Sequence, residues 1–150
     1  MGMNVLLVED NLGDVGLMQE IFREVLTSVR LDVARDGLEA LSFLRREGLN
    51  ADAPRPDLIL LDLHMPKMDG REFLAVVKKD AALRIIPIVV LTSSRADDDV
   101  IASYELQASS YLQKPLDFKS LKERIESIRD YWLHVTLPIQ VALYTNPQID

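Results

Sequence analysis

The sequence predicts an α/β fold, a single doubly wound sheet of five parallel strands. Three observations carry that expectation. Short apolar runs alternate with stretches of helical periodicity along the chain. The runs Leu58–Leu61 (LILL) and Ile88–Leu91 (IVVL) show no polar alternation, as strands covered by helices on both faces require. Acidic, hydroxylic or basic residues follow the first, third, fourth and fifth runs, at the edge where an open parallel sheet keeps its ligands.

The elements follow in order. Asn4–Val8 (NVLLV) reads as a buried strand. Leu12 to Leu26 carries Leu12, Val15, Met18, Ile21, Phe22, Val25 and Leu26 in steps of three and four, a helical stripe. Arg30–Ala34 alternates and reads as the second strand. Gly37 to Arg46 places Leu38, Leu41, Phe43 and Leu44 at helical spacing, with Gly48 as the expected stop. Residues 50–56 (NADAPRP) are expected to be a loop before the third strand. Gly70–Lys79 is a short helix, introduced by the turn pair Asp69-Gly70. Asp97–Tyr104 is a weak helix and Ser110–Leu112 a short fifth strand. Asp117 to Trp132 is the clearest helix, with Phe118, Leu121, Ile125, Ile128 and Trp132 on one side.

Composition narrows the function. The 150 residues suit one domain, and 48% apolar content can fill a core. Seventeen Lys and Arg against 24 Asp and Glu leave a net charge of −7, which disfavours broad contact with nucleic acid or acidic lipid. The absence of cysteine removes disulfides, thiolate catalysis and zinc–thiolate sites from this chain. The first residues carry no basic region, and no apolar run is long enough to span a bilayer, so a cytoplasmic location without membrane contact is expected.

Glu9 and Asp10 follow the first strand, Asp62 the third, Thr92 and Ser93 the fourth, and Lys114 the fifth. A parallel sheet gathers these ends into one cleft of carboxylates, hydroxyls and an ammonium. Carboxylate oxygens with little cationic compensation suit a hard divalent cation such as Mg²⁺. A carboxylate beside such an ion can attack a phosphoryl donor, while lysine and hydroxyl donors stabilise the transferred oxygens.

The segments LLVEDN, LILLDLHMPKMDG, VVLTSS and YLQKP resemble the receiver domain of bacterial two-component response regulators, in order and separation, over about residues 3–133. The resemblance implies a flavodoxin-like (βα)5 sheet of order 2-1-3-4-5, and a chain that accepts phosphoryl groups rather than a conventional turnover enzyme. Asp62 matches the phosphoacceptor, and Glu9 and Asp10 the acidic pair. Asp10, Asp62 and the backbone carbonyl of His64 match the direct metal ligands, with Glu9 acting through water. Mg²⁺ is the implied cofactor, with Mn²⁺ as an alternative. Thr92 matches the switch hydroxyl, Tyr111 the aromatic switch position and Lys114 the lysine of the site. The Lys114–Pro115 bond is cis in this family. Asp14 is read instead as solvated helix surface.

The EDNLGD start, the RDGLEALSFLRREG helix and the SRADDDV segment look like stand-alone receivers of the cyanobacterial phytochrome-partner type. That implies a phytochrome-like sensor histidine kinase as partner and signalling through altered protein contacts. Residues 134–150 form an extension, with a β-branched apolar patch over Val135–Tyr144. Two readings stay open for the patch: folding back on its own domain, or packing on a second copy as a homodimer arm. His134 reads as a polar residue, not a phosphoacceptor. Three alternatives bound the functional reading. A phosphorylation-independent interaction module would keep the fold. An aspartyl phosphatase would present a DxD pair, which His64 interrupts. A DNA-binding output does not fit the 17 residues after 133.

Overall fold

The computed structural model describes residues 3–93, 100, 102 and 104–133. Five strands, β1 (Met3–Val8), β2 (Val29–Ala34), β3 (Leu58–Leu61), β4 (Ile88–Thr92) and β5 (Ser110–Gln113), form one sheet of order β2-β1-β3-β4-β5. Every neighbouring pair is parallel, with Leu7 opposite both Val33 and Leu60. The four α-helices labelled here are α1 (Leu12–Val25), α2 (Gly37–Leu44), α3 (Gly70–Lys79) and α4 (Phe118–Ile128). Residues 100, 102, 104 and 105 are also helical, and the remainder of the expected 97–104 helix lies outside the described residues. So do His134 and the Val135–Tyr144 patch.

Strand side chains alternate between two apolar layers, because successive residues point to opposite faces. On one face Leu6, Val8, Ile59, Leu61, Ile88 and Val90 pack with Leu41 of α2 and Phe73, Leu74 and Val77 of α3. On the other, Val5, Leu7, Leu58, Leu60 and Val89 pack with Met18, Ile21 and Phe22 of α1 and Leu121, Ile125 and Ile128 of α4. Fully burying one such Leu, Ile or Phe contributes roughly 1.5–3 kcal/mol relative to exposure. This is why β3 is wholly apolar and β4 holds its one polar residue, Thr92, at its end.

Each of these four helices is started by an Asn or Asp whose side chain accepts the amide of the third residue along. The caps are Asn11 to Asp14 at 3.0 Å, Asp36 to Glu39 at 2.8 Å, Asp69 to Glu72 at 2.9 Å and Asp117 to Ser120 at 2.8 Å. At α3 the cap is reciprocal: the Asp69 amide donates back to Glu72 Oε1 at 3.4 Å. The turn reading of Asp69 and Gly70 therefore holds.

Five local expectations need correction. Leu12, assigned to the buried stripe of α1, is 70% exposed, because this first helical residue starts α1 beyond the carboxyl end of β1. Leu38 is likewise exposed, since α2 buries the face bearing Gly37, Ala40 and Leu41, one position round. The stop of α2 is Arg46 rather than Gly48. Arg46 takes φ 54°, its amide bonds Phe43 O at 3.2 Å, and the Glu47 amide bonds Ser42 O at 3.0 Å. That is the paired carbonyl capping of a Schellman turn, completed before the chain reaches Gly48. Lastly, the described residues contain no cis peptide bond, so Lys114–Pro115 is trans, the form an X–Pro amide favours by about 0.5–1 kcal/mol. The last helix also ends at Ile128 and passes into a π-helical turn over Arg129–Leu133.

Candidate functional site

The carboxyl ends of β1, β3, β4 and β5 converge as the topology requires. Glu9, Asp10 and Asp62 each bring a carboxylate oxygen within 4.8 Å of the others. Glu9 and Asp62 are buried, and Thr92 is fully so at 0% exposure. Their backbones are fixed by the sheet and its extension: the Glu9 amide donates to Ala34 O at 2.9 Å and the Asp62 amide to Val8 O at 3.0 Å.

Asp62 Oδ1 accepts a hydrogen bond from the Thr92 hydroxyl at 2.7 Å and a long one from the His64 amide at 3.4 Å. The threonine hydroxyl is thus on Asp62 already, with no travel needed to reach it. The His64 ring is exposed while its main chain lies beside the aspartate. Tyr111 sits half-buried on β5, against the apolar layer that contains Phe73 and Val90. Its amide donates to the Tyr104 hydroxyl at 3.3 Å.

Lys114 is positioned by its own amide, which donates to Thr92 O at 2.7 Å. Its ammonium is ion-paired with Glu9 Oε1 and with Asp14 Oδ2, the latter at 3.0 Å. Burial pushes the Glu9 carboxyl up to about 7, with the Lys114 hydrogen bond opposing the rise and the Asp62 charge adding to it. At Lys114 burial works to lower the ammonium, but Glu9, Asp14 and Asp62 outweigh it and leave the group raised.

The loop after Asp62 is clamped at both ends. The Gly70 amide donates to Leu63 O at 2.9 Å, and the Gly37 amide of α2 takes Met68 O at 3.0 Å. Lys67, at φ 62°, reaches Asp36 Oδ2 at 3.7 Å. A Cβ on Gly70 would lie 2.6 Å from the Asp62 carbonyl oxygen and 2.6 Å from Leu63 Cα, so this position admits only glycine without displacement.

Glu9, Asp10, Asp62, Thr92 and Lys114 are therefore brought to one place, with Tyr111 on β5 three residues before Lys114. Two participants were missed. Asp14, read as solvated surface, pairs with Lys114 across 100 residues of sequence. Arg35 donates from Nη2 to the Asp10 carbonyl at 2.8 Å and braces the β1–α1 turn. The 100 residues between Asp14 and Lys114 hid the first. Nothing local pointed to the second.

Three clustered oxygens, two of them on buried residues and only partly compensated by one ammonium, fit a hard divalent cation. Residues 5–126 match the family model for the response regulator receiver domain. The chain belongs to the response regulator receiver family. It is 48% identical over 135 residues to the response regulator Rcp1 of Synechocystis, covering 89% of this chain and 92% of that protein. The phosphorylated cyanobacterial phytochrome response regulator RcpA superposes with a TM-score of 0.88 at 41% identity, over 93% of this chain and 99% of RcpA. The Mn²⁺-bound form of Rcp1 gives a TM-score of 0.84 at 45% identity, over 91% and 98% of the two chains. The receiver fold and the two-component class expected from the motifs are confirmed. No helix among the described residues is long and apolar enough to cross a membrane.

Proposed function

We propose that this receiver accepts a phosphoryl group on Asp62 from a sensor histidine kinase and signals through changed protein contacts. The observation that carries the reading is the convergence of Glu9, Asp10 and Asp62 with the Thr92 hydroxyl and the Lys114 ammonium at one sheet edge. An Asp62 oxygen forms the new P–O bond as the P–N bond of a phosphohistidine breaks, and the electron pair leaves on the imidazole nitrogen. Asp62 attacks through a carboxylate oxygen and calls on no general base. Thr92 and Lys114 supply the donors that hold the phosphoryl oxygens as charge develops on them. Hydrolysis returns the carboxylate: water attacks phosphorus, the bond to Asp62 breaks and inorganic phosphate departs. The chain thus holds a signal for a time and is not a turnover enzyme.

Glu9, Asp10, Asp62 and the His64 carbonyl would hold Mg²⁺, and Mn²⁺ equally suits such oxygen donors. The ion supplies neutralisation of the carboxylates and of the incoming phosphoryl charge. Tyr111, packed at the edge of the apolar layer, is the element whose position responds to the occupied site, as a shift between two packed states. The likeness to RcpA, a cyanobacterial phytochrome response regulator, supports a phytochrome-like kinase as donor, and a cytoplasmic setting is part of this reading. Residues 3–133 form the receiver on this reading and residues 134–150 an extension.

The test is intact mass after incubation with acetyl phosphate, with Mg²⁺ and with chelator. One phosphoryl increment in the native chain with Mg²⁺, and none in Asp62→Asn, is expected. Undiminished uptake by Asp62→Asn would remove Asp62 from the role. No uptake by a folded, metal-replete native chain, even from a kinase, would favour a phosphorylation-independent binding module.

A further inference from the structure

The Lys114 ammonium is held from two sides. Its side chain is only 12% exposed, so its carboxylate contacts are not readily replaced by water. Glu9, 3% exposed, belongs to the carboxylate cluster itself. Asp14 does not: its side chain is 34% exposed, it stands on the first turn of α1, and its Oδ2 reaches Lys114 Nζ at 3.0 Å. Its backbone is pinned there, because its amide donates to the Asn11 cap at 3.0 Å. We infer that Asp14 is a positioning residue that retains the Lys114 ammonium on the α1 side of the cleft in the resting chain and so restrains phosphoryl uptake.

The inference rests on the phosphoacceptor reading of Asp62. A phosphoryl group arriving at Asp62 and the Asp14 carboxylate compete for the same ammonium. Asp14 itself is a third exposed, so water screens its side of the pair and it restrains without blocking. A carboxylate in a first helical turn also favours the helix dipole, but that effect does not require Lys114. The two accounts therefore separate experimentally.

The rate constant for phosphoryl uptake from acetyl phosphate, with Mg²⁺, is measured in the native chain, Asp14→Asn, Lys114→Met and the double variant. Asp14→Asn is expected to react about two- to fivefold faster than native, the range set by the worth of such a pair. The gain should vanish when Lys114 is methionine in both members of the comparison. An unchanged or slower Asp14→Asn, with a reactive native chain, overturns the inference and leaves the Asp62 reading intact. So does a gain that persists without Lys114, which would be a general charge effect on an anionic donor. A folded, metal-replete native chain that takes up no phosphoryl group, even from a kinase, overturns the Asp62 reading and this inference with it. Should Lys114→Met react too slowly to follow, acetylation of the Lys114 amine by acetic anhydride in the resting chain decides. A rise at Lys114 alone in Asp14→Asn supports retention, and equal reactivity refutes it.

Discussion

Replacing Gly70 by alanine should separate close backbone packing from ordinary helix propensity. The added Cβ would lie 2.6 Å from the Asp62 carbonyl oxygen and from Leu63 Cα, both main-chain atoms that cannot swing aside. Overpacking of this kind costs about 1–3 kcal/mol, and the smaller unfolded-state entropy of alanine returns about 0.4–1 kcal/mol. The net expectation is a loss of about 1–2 kcal/mol, or roughly 3–6 °C in Tm for a chain of this size. Gly16 is the internal control. It lies in α1, and a Cβ there meets nothing within 4 Å. Gly16→Ala should therefore gain about 0.5–1 kcal/mol from helix propensity alone. Thermal unfolding by calorimetry reads both. Mn²⁺ titration followed by electron paramagnetic resonance adds a second readout, because the displaced atoms belong to Asp62 and its neighbour. Gly70→Ala should bind Mn²⁺ more weakly than native, and Gly16→Ala should match native. A Gly70→Ala chain as stable as native, with native metal affinity, would refute the claim that this approach positions the acceptor.

Three further outcomes follow from the same structure. Burial raises the Asp57 carboxyl above its ordinary 3.8, against the lowering effect of the Asn4 amide bonded to it at 2.8 Å. The folded chain then binds this proton more tightly than the unfolded one, so the Asp57 contribution is favourable below 3.8 and is lost as pH rises through the folded value. Asp57→Asn should consequently gain Tm relative to native as pH rises through that window, and a pH-independent difference would contradict it. Asp69→Ala removes the side-chain half of the α3 capping box, leaving the residue-69 amide to donate to Glu72, and should cost about 1 kcal/mol in urea unfolding, with no loss counting against the cap. Arg46→Gly relieves a left-handed residue at the end of α2 and should raise stability by about 0.5–1 kcal/mol, whereas a fall would contradict that reading.

The architecture was legible because its determinants are local and periodic. LILL and IVVL could be buried only between two helical layers, and residues at strand ends in a parallel sheet must share an edge. The helix caps Asn11, Asp36, Asp69 and Asp117 likewise stand in the sequence where each helix begins. What periodicity does not carry is the outline of the layer above the sheet. Leu12 fits the α1 stripe in spacing, yet it stands in the first turn, past the end of the strand it would cover. Gly48 looked like the stop of α2, but backbone bonding had closed the helix at Arg46. The site shows the same division. Glu9, Asp10, Asp62, Thr92 and Lys114 were found because each stands at the carboxyl end of a strand. Asp14 and Arg35 act through partners on other elements, and a contact spanning 100 residues leaves no local pattern.

The claim on which the account turns is that Asp62, alone among the clustered carboxylates, carries the phosphoryl group. Borohydride reduction of the phosphorylated chain tests it directly, because hydride cleaves an acyl phosphate and leaves homoserine at the position that bore it. Peptide mass mapping should find homoserine at residue 62 and unaltered side chains at Glu9, Asp10 and Asp14. Reduction at any of those three, or phosphoryl incorporation that leaves residue 62 as aspartate, would contradict the account.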